Sequence, residues 1–451
     1  MYQTISLFLL LVLLSPQWGT AQDENLRTHD HIYLDNIRSV QLHRTDSVLS
    51  YPIIPLQGGR RLRLTFDDMD ADVKDYVYTI VHYDANWQPS EMDVSEYING
   101  FEENNLLDYQ FSYNTIREYT HFQLDFPNED IQLTKSGNYL LKVYEDEDQK
   151  RLALTRRFMV IESIMTVGGR FIRPSDPAVS STHQRLNFSI SHPDVRIGNP
   201  QNEITTVLLQ NGRWDNALLN LKPKFVRNEK LVYDYLNKLL FPAGKEFRHL
   251  DIRSFDFRTD RTESIEEYAD HYKVYLNADE PRPYRPYIFY RDINGRYVVE
   301  NLDVSLNFGR TARIDIAESF VGTDSQAAEH ARQGDYAIAY FRLEAPIPYE
   351  GRRVYLVGAF SDWQCLPEYE LTYEPSENEY RGQALLKQGY YNYTYALADE
   401  DNPEQVSFAE IEGNWHETEN EYHVLVYWRP FGQRYDRLVA LQTFNSVRGQ
   451  P

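Results

Sequence analysis

Cysteine is almost missing from this chain: Cys365 stands alone among 451 residues. A single thiol can form no intrachain disulfide, no cysteine-ligated zinc site and no redox pair, so packing has to hold the fold. Long apolar runs are missing after the first twenty residues, which leaves no segment long enough to cross a bilayer as a helix. There is no G-x-S-x-G nucleophile elbow and no glycine-rich phosphate cradle. Nor is there a basic excess. The formal charge is -22, which disfavours phosphate backbones and anionic headgroups and leaves a protein partner as the easier fit.

What is present begins with an apolar stretch over residues 5–14, broken only by Ser6 and closed by Ser15 and Pro16. Ten residues rise about 15 Å as a helix, roughly half of a hydrocarbon core. The stretch therefore reads as a signal peptide over 1–21, with Gly19, Thr20 and Ala21 placing small residues before a cut between Ala21 and Gln22. No cysteine follows to carry a lipid, so we expect an exported protein without a direct membrane anchor. The acidic charge is uneven. Basic against acidic side chains number 14 to 26 over residues 22–165, 22 to 23 over 166–330 and 10 to 19 over 331–451.

Tyrosine is abundant at 35 residues against 5 methionines, and tyrosine suits pleated, half-buried surfaces. Residues 61–66 alternate as Arg, Leu, Arg, Leu, Thr, Phe, and 76–82, 139–144, 185–190, 336–343, 390–395 and 422–428 read as further strands. Helical periodicity is scarce, with one short helix expected over 231–240. Asn294-Gly295 predicts a type I′ turn, since both positions need positive φ, and with it a hairpin over 288–298. These patterns argue for an all-β chain of tandem antiparallel β-sandwich domains, immunoglobulin-like or early-set-like, after a signal peptide. The expected division is an N-terminal sandwich over 22–163, a middle β-rich domain over 164–323, a linker over 324–334 and a C-terminal early-set-like sandwich over 335–451.

Few residues suggest chemistry. Asp68, Asp70 and Asp72 open like an EF-hand loop, but Val73 and Thr79 stand where glycine and a bidentate glutamate belong, so a solvated turn is the better reading. His249 lies near Arg248, Asp251 and Arg253, a pattern that fits a surface charge ladder more readily than a proton shuttle. Cys365 falls in an expected loop. We expect no catalytic residues, no metal and no cofactor.

Two resemblances add to this. The string VYLVGAFSDW over 354–363 resembles glycogen- and starch-recognition modules of the early-set class, in which Trp363 would stack on sugar and Trp415 would offer a second platform. The insertion at 399–410 stretches that pattern, and Phe360 reads as core. Far longer strings resemble the type IX secretion system plug protein family, formerly a domain of unknown function. They are YPIIPLQGGRRLRLTFDDMDADVKDYVYTIVHYDANWQPSEMDVSEYINGF at 51–101, LTRRFMV at 154–160, LLQNGRWDNA at 208–217, FPAGKEFRHLDIRS at 241–254 and YWRPFGQRYDRLVA at 427–440. That resemblance implies a non-enzymatic periplasmic plug which binds the outer-membrane translocon β-barrel and seals its pore when idle. A carbohydrate-binding protein is the alternative. Arg429, Phe431, Arg434 and Tyr435 are candidate contacts, because Tyr and Arg are favoured interface anchors.

Overall fold

The computed structural model describes residues 26–145, 151–303 and 332–448. The expected leader, its cut between Ala21 and Gln22, and most of the expected linker lie outside the described residues.

Alternation decides the first sandwich. In the strand Leu62–Asp68 the side chains of Leu62, Leu64 and Phe66 are buried while Arg63 and Thr65 reach towards solvent, the period of two that a one-sided sheet requires. This strand sits in a four-stranded sheet ordered Ile37–Arg44, Leu62–Asp68, Thr120–Phe126, Asp108–Phe111. Opposite lies a sheet ordered His31–Ile32, Arg151–Ile161, Gly137–Glu145, Tyr76–Tyr83, Glu103–Leu106, with Ile53–Pro55 parallel to the end of Arg151–Ile161. Their inner faces meet around Phe66 and Phe122, stacked at 5.1 Å, with Tyr76 edge-on to both.

The second sandwich takes strands from two distant parts of the chain. One sheet holds Thr166–Phe171, His183–Ser191, Lys230–Tyr233 and Phe225–Arg227, with Leu240–Pro242 on His183–Ser191. The other runs Leu218–Leu221, Ile204–Gln210, Glu421–Trp428, Arg437–Asn445. Its core therefore joins Phe188, Ile190 and Leu208 to Tyr422, Val424 and Phe444. Residues 231–240 form no helix: the strands Lys230–Tyr233 and Leu240–Pro242 occupy that stretch, because Leu231 and Tyr233 are both drawn into this core.

The third sandwich is a ten-stranded sheet folded over one core, from Arg248–Asp251 through Gly389–Asp399 and Tyr336–Glu344 to Thr262–Glu267. It is inserted into the second, so strand pairing cuts across the expected boundaries at 323 and 335. Within it Asn294 and Gly295 have φ of 53° and 79° and make the expected turn. The expected hairpin is absent. Tyr297–Val299 pairs with Gly389–Asp399 instead, because Tyr290 and Asp292 bind the backbone of Glu246 and Phe247 and carry the other arm away.

Candidate functional site

The aspartate triplet holds protein donors. Asp68 accepts hydrogen bonds from Asn36 (2.7 Å) and Tyr76 (2.9 Å), Asp72 accepts one from the Val73 N–H (2.7 Å), and the Lys74 ammonium lies 3.1 Å from Asp68 and pairs with Asp70. A fixed ammonium sits where a cation would enter. No group of three or more His, Cys, Asp or Glu residues that could hold a metal occurs among the described residues.

Nor is the His249 string the surface ladder its alternation suggested. His249 stacks on Tyr390 at 5.8 Å, and Arg248 is buried, donating to Glu412 (3.0 Å) and Asp279 (2.7 Å). Burial alone would raise the Glu412 carboxyl, but the guanidinium groups of Arg248 and Arg282 outweigh it and hold it at about 2. The hydroxyls of Tyr393 and Tyr395 complete the cluster by donating to Asp279. Arg248, Arg282 and the two tyrosines all donate to these carboxylates, which makes the network a clamp between strands. Cys365 is half-buried, and burial pushes its thiol up to about 11, far from the thiolate that nucleophilic chemistry needs.

Neither tryptophan stands free as a platform. Trp363 has the Arg213 guanidinium 4.1 Å above its ring and Phe247 at its edge (5.6 Å). Trp415 stacks on Tyr287 at 6.1 Å and donates to Glu417 at 3.1 Å. The two rings share no partner. Phe360 is half-buried against Tyr369.

The candidate contacts Arg429, Phe431, Arg434 and Tyr435 sit in the loop joining Glu421–Trp428 to Arg437–Asn445. Arg429 forms a bidentate pair with Asp436 (2.8 and 2.9 Å). Asp436 also accepts from the Ala85 N–H (2.9 Å), Arg434 pairs with Glu96, and Tyr435 meets His82 edge-on at 5.6 Å. Three of the four candidates therefore tie the loop to itself or to the first sandwich. Phe431 differs: its side chain is 99% exposed at the loop tip.

Sequence reasoning did not single out the contacts that fix the sandwiches to one another. Asp67 is buried between the first and third sandwiches and binds Lys387 (2.5 Å), His121 (2.6 Å) and Tyr336 (2.6 Å). Burial would raise its carboxyl, but the Lys387 ammonium and His121 hold it below the usual range. The first and second sandwiches share a separate apolar cluster that includes Ile53, Met159, Val207, Leu425 and Leu438. Where all three meet, a cavity of about 460 Å³ opens. Its arginines are engaged: Arg156 with Asp362 (3.2 Å), Arg213 with Asp215 and Trp363, and Arg296 with Glu421 (3.5 Å). Only alternation and residue type are visible in sequence, and Asp67 and Lys387 lie 320 residues apart.

Residues 37–162 match the family model described as "Type 9 secretion system plug protein 1st domain". This span holds the first sandwich apart from its edge strand His31–Ile32, and it includes the strings at 51–101 and 154–160 that resemble that family. Among solved structures, a hypothetical protein from Parabacteroides merdae ATCC 43184 superposes with a TM-score of 0.83 at 28% identity, covering 93% of this chain and 100% of that one. The likeness therefore extends across all three sandwiches. Dimeric latent PorU from Porphyromonas gingivalis aligns at 10% identity with a TM-score of 0.14, over 91% of this chain and 34% of that chain, and carries no argument. No curated protein matches.

Proposed function

We propose that this protein is a non-enzymatic plug of the type IX secretion system, which binds the outer-membrane translocon from the periplasm and closes its pore when no substrate is engaged. The observation that carries this reading is the match of residues 37–162 to the plug family model. Physics supports it. A wide β-barrel pore leaks unless a separate body fills its mouth, and three sandwiches fixed to one another by buried ion pairs and shared apolar clusters make a stiff body. No helix among the described residues is long and apolar enough to cross a membrane, so attachment through a partner suits the chain.

The test is affinity purification of tagged protein from gently solubilised outer membranes. The translocon barrel should co-purify, and deleting the gene should make cells permeable to dyes they normally exclude. Recovery of the protein alone, together with tight cells, would overturn the reading.

A further inference from the structure

Edges of β-sheets carry unpaired backbone groups, and natural proteins blunt them with lysine, proline, a bulge or a covering element. Among the described residues, the first sandwich has one edge that carries no lysine, proline or bulge. Its four-stranded sheet ends in Asp108–Phe111, and all four residues of that strand are exposed. From Leu106 to Tyr113 the sequence LLDYQFSY holds neither lysine nor proline, and the pairing with Thr120–Phe126 is unbroken from Asp108 to Phe111.

Both side chains and backbone point to a use for this edge. Tyr109 lies opposite Phe122, a core residue, with the rings 5.7 Å apart. Tyr109 and Phe111 therefore lie on the core side of the sheet, where Asp108–Phe111 overhangs the opposing sheet. Leu107 and Tyr113 continue the alternation at either end, 80% and 62% exposed. The Ser112 N–H donates to the Tyr119 carbonyl at 2.9 Å. Residues 108, 110 and 112 thus face the neighbouring strand, and the backbone groups of Tyr109 and Phe111 face outward. The next outward N–H, that of Tyr113, already donates to the Arg332 carbonyl at 3.2 Å, so an outward group of this edge is open to a backbone acceptor. The surroundings are acidic. Glu102, Glu103, Asp108 and Glu118 flank the strand in sequence against Arg117 over 98–120, with the Arg332 guanidinium 5.7 Å from the Tyr113 ring at one end.

We propose that Asp108–Phe111 is a docking strand which takes, by β-augmentation, an extended segment of another polypeptide with apolar residues at alternate positions and a net positive charge. Outward backbone groups of Tyr109 and Phe111 supply the ladder, the overhanging Leu107, Tyr109, Phe111 and Tyr113 receive the apolar side chains, and the flanking carboxylates favour the cationic ones. This deepens the proposed function, and rests on it only for the partner's origin, which would be the periplasmic side of the translocon.

The probe is a fluorescein-labelled peptide, Lys-Val-Lys-Val-Lys-Val-Lys, titrated into the full-length protein by fluorescence anisotropy at physiological salt. Phe111→Pro removes one outward N–H and leaves the net charge unchanged, a change an edge strand tolerates when that N–H faces solvent. Tyr109→Ser keeps the backbone and removes apolar surface. Each variant is checked for wild-type thermal unfolding, and either suffices if the other misfolds. Wild type should bind the peptide at least about tenfold more tightly than either variant, a difference of about 1.4 kcal/mol. Equal binding by all three would mean electrostatic adsorption only and would overturn the proposal. So would a wild-type dimer in sedimentation velocity that Phe111→Pro abolishes, since the edge would then serve a second copy. Capture of the translocon separates the two readings. If wild type and Phe111→Pro retain the barrel equally, the docking strand is refuted and the plug stands. If neither retains it while the peptide still discriminates, the plug fails and the docking strand stands.

Discussion

Glu246 is buried and its neighbours withhold a cation: Tyr287 and the Glu419 N–H donate to it, while Asp292 and Glu419 add negative charge nearby. Burial first, and Asp292 second, push its carboxyl up to about 7. A folded-state pKa above the unfolded one means that the ionised form destabilises the fold at high pH, and that the cost disappears as falling pH protonates the native carboxyl. Glu246→Gln keeps the acceptor oxygen and removes the charge. It should therefore stabilise the protein at pH 8 by about 1–3 kcal/mol, with the gain shrinking to nearly nothing below about pH 4.5. Urea denaturation across that range measures it, and a gain independent of pH would rule the account out. Asp67 behaves in the opposite way, because its charge has a partner. Asp67→Ala strands the Lys387 ammonium between Tyr119 and Tyr336 and should cost about 3–5 kcal/mol, whereas adding Lys387→Met should restore most of the loss, since an apolar replacement of a buried pair is close to neutral.

At the scale of elements, strands with a one-sided environment were legible because alternation is a direct imprint of burial. The expected strands at 61–66 and 76–82 correspond to Leu62–Asp68 and Tyr76–Tyr83. Turn chemistry was legible too, but what a turn connects was not. Asn294-Gly295 adopts the positive φ angles its residues favour, yet the hairpin fails because side chains of Tyr290 and Asp292 find distant backbone partners that no local pattern reveals. The same turn fits closely under Trp363, with a Cβ on Gly295 falling 2.3 Å from the indole. Gly295→Ala should therefore cost more than the roughly 1–2 kcal/mol of a left-handed alanine, since Trp363 must also give up its seat against Arg213. A thermal melt of Gly295→Ala indistinguishable from wild type would show that the indole moves freely. Among the interface candidates, the residue types were a fair guide to contacts, but Arg429, Arg434 and Tyr435 are engaged within the molecule, and residue type alone does not distinguish an internal contact from an external one.

For the whole molecule, chain order misled where fold order differs. The C-terminal strands Glu421–Trp428 and Arg437–Asn445 alternate clearly enough to be recognised, but their sheet partner Ile204–Gln210 lies more than two hundred residues earlier, and alternation carries no information about partner identity. The consequence is a closure made last: the second sandwich lacks half of one sheet until the end of the chain is in place. Each large apolar side chain buried there contributes roughly 1.5–3 kcal/mol, and Tyr422, Val424, Val426, Val439 and Phe444 together face Phe188, Ile190 and Leu208. Removing residues 421–448 therefore takes away an amount comparable to the whole stability of an ordinary domain, about 5–15 kcal/mol. It also strips Leu425 and Leu438 from the cluster that joins the second sandwich to the first. The shortened protein should bind a hydrophobic dye and lose protease resistance first over 166–242, while residues 37–162, whose core is drawn from within 37–160, stay protected. Mass spectrometry of the limited digest reads this directly. If 166–242 remained as resistant as 37–162, the shared sandwich would not be the unit that the C-terminal strands complete.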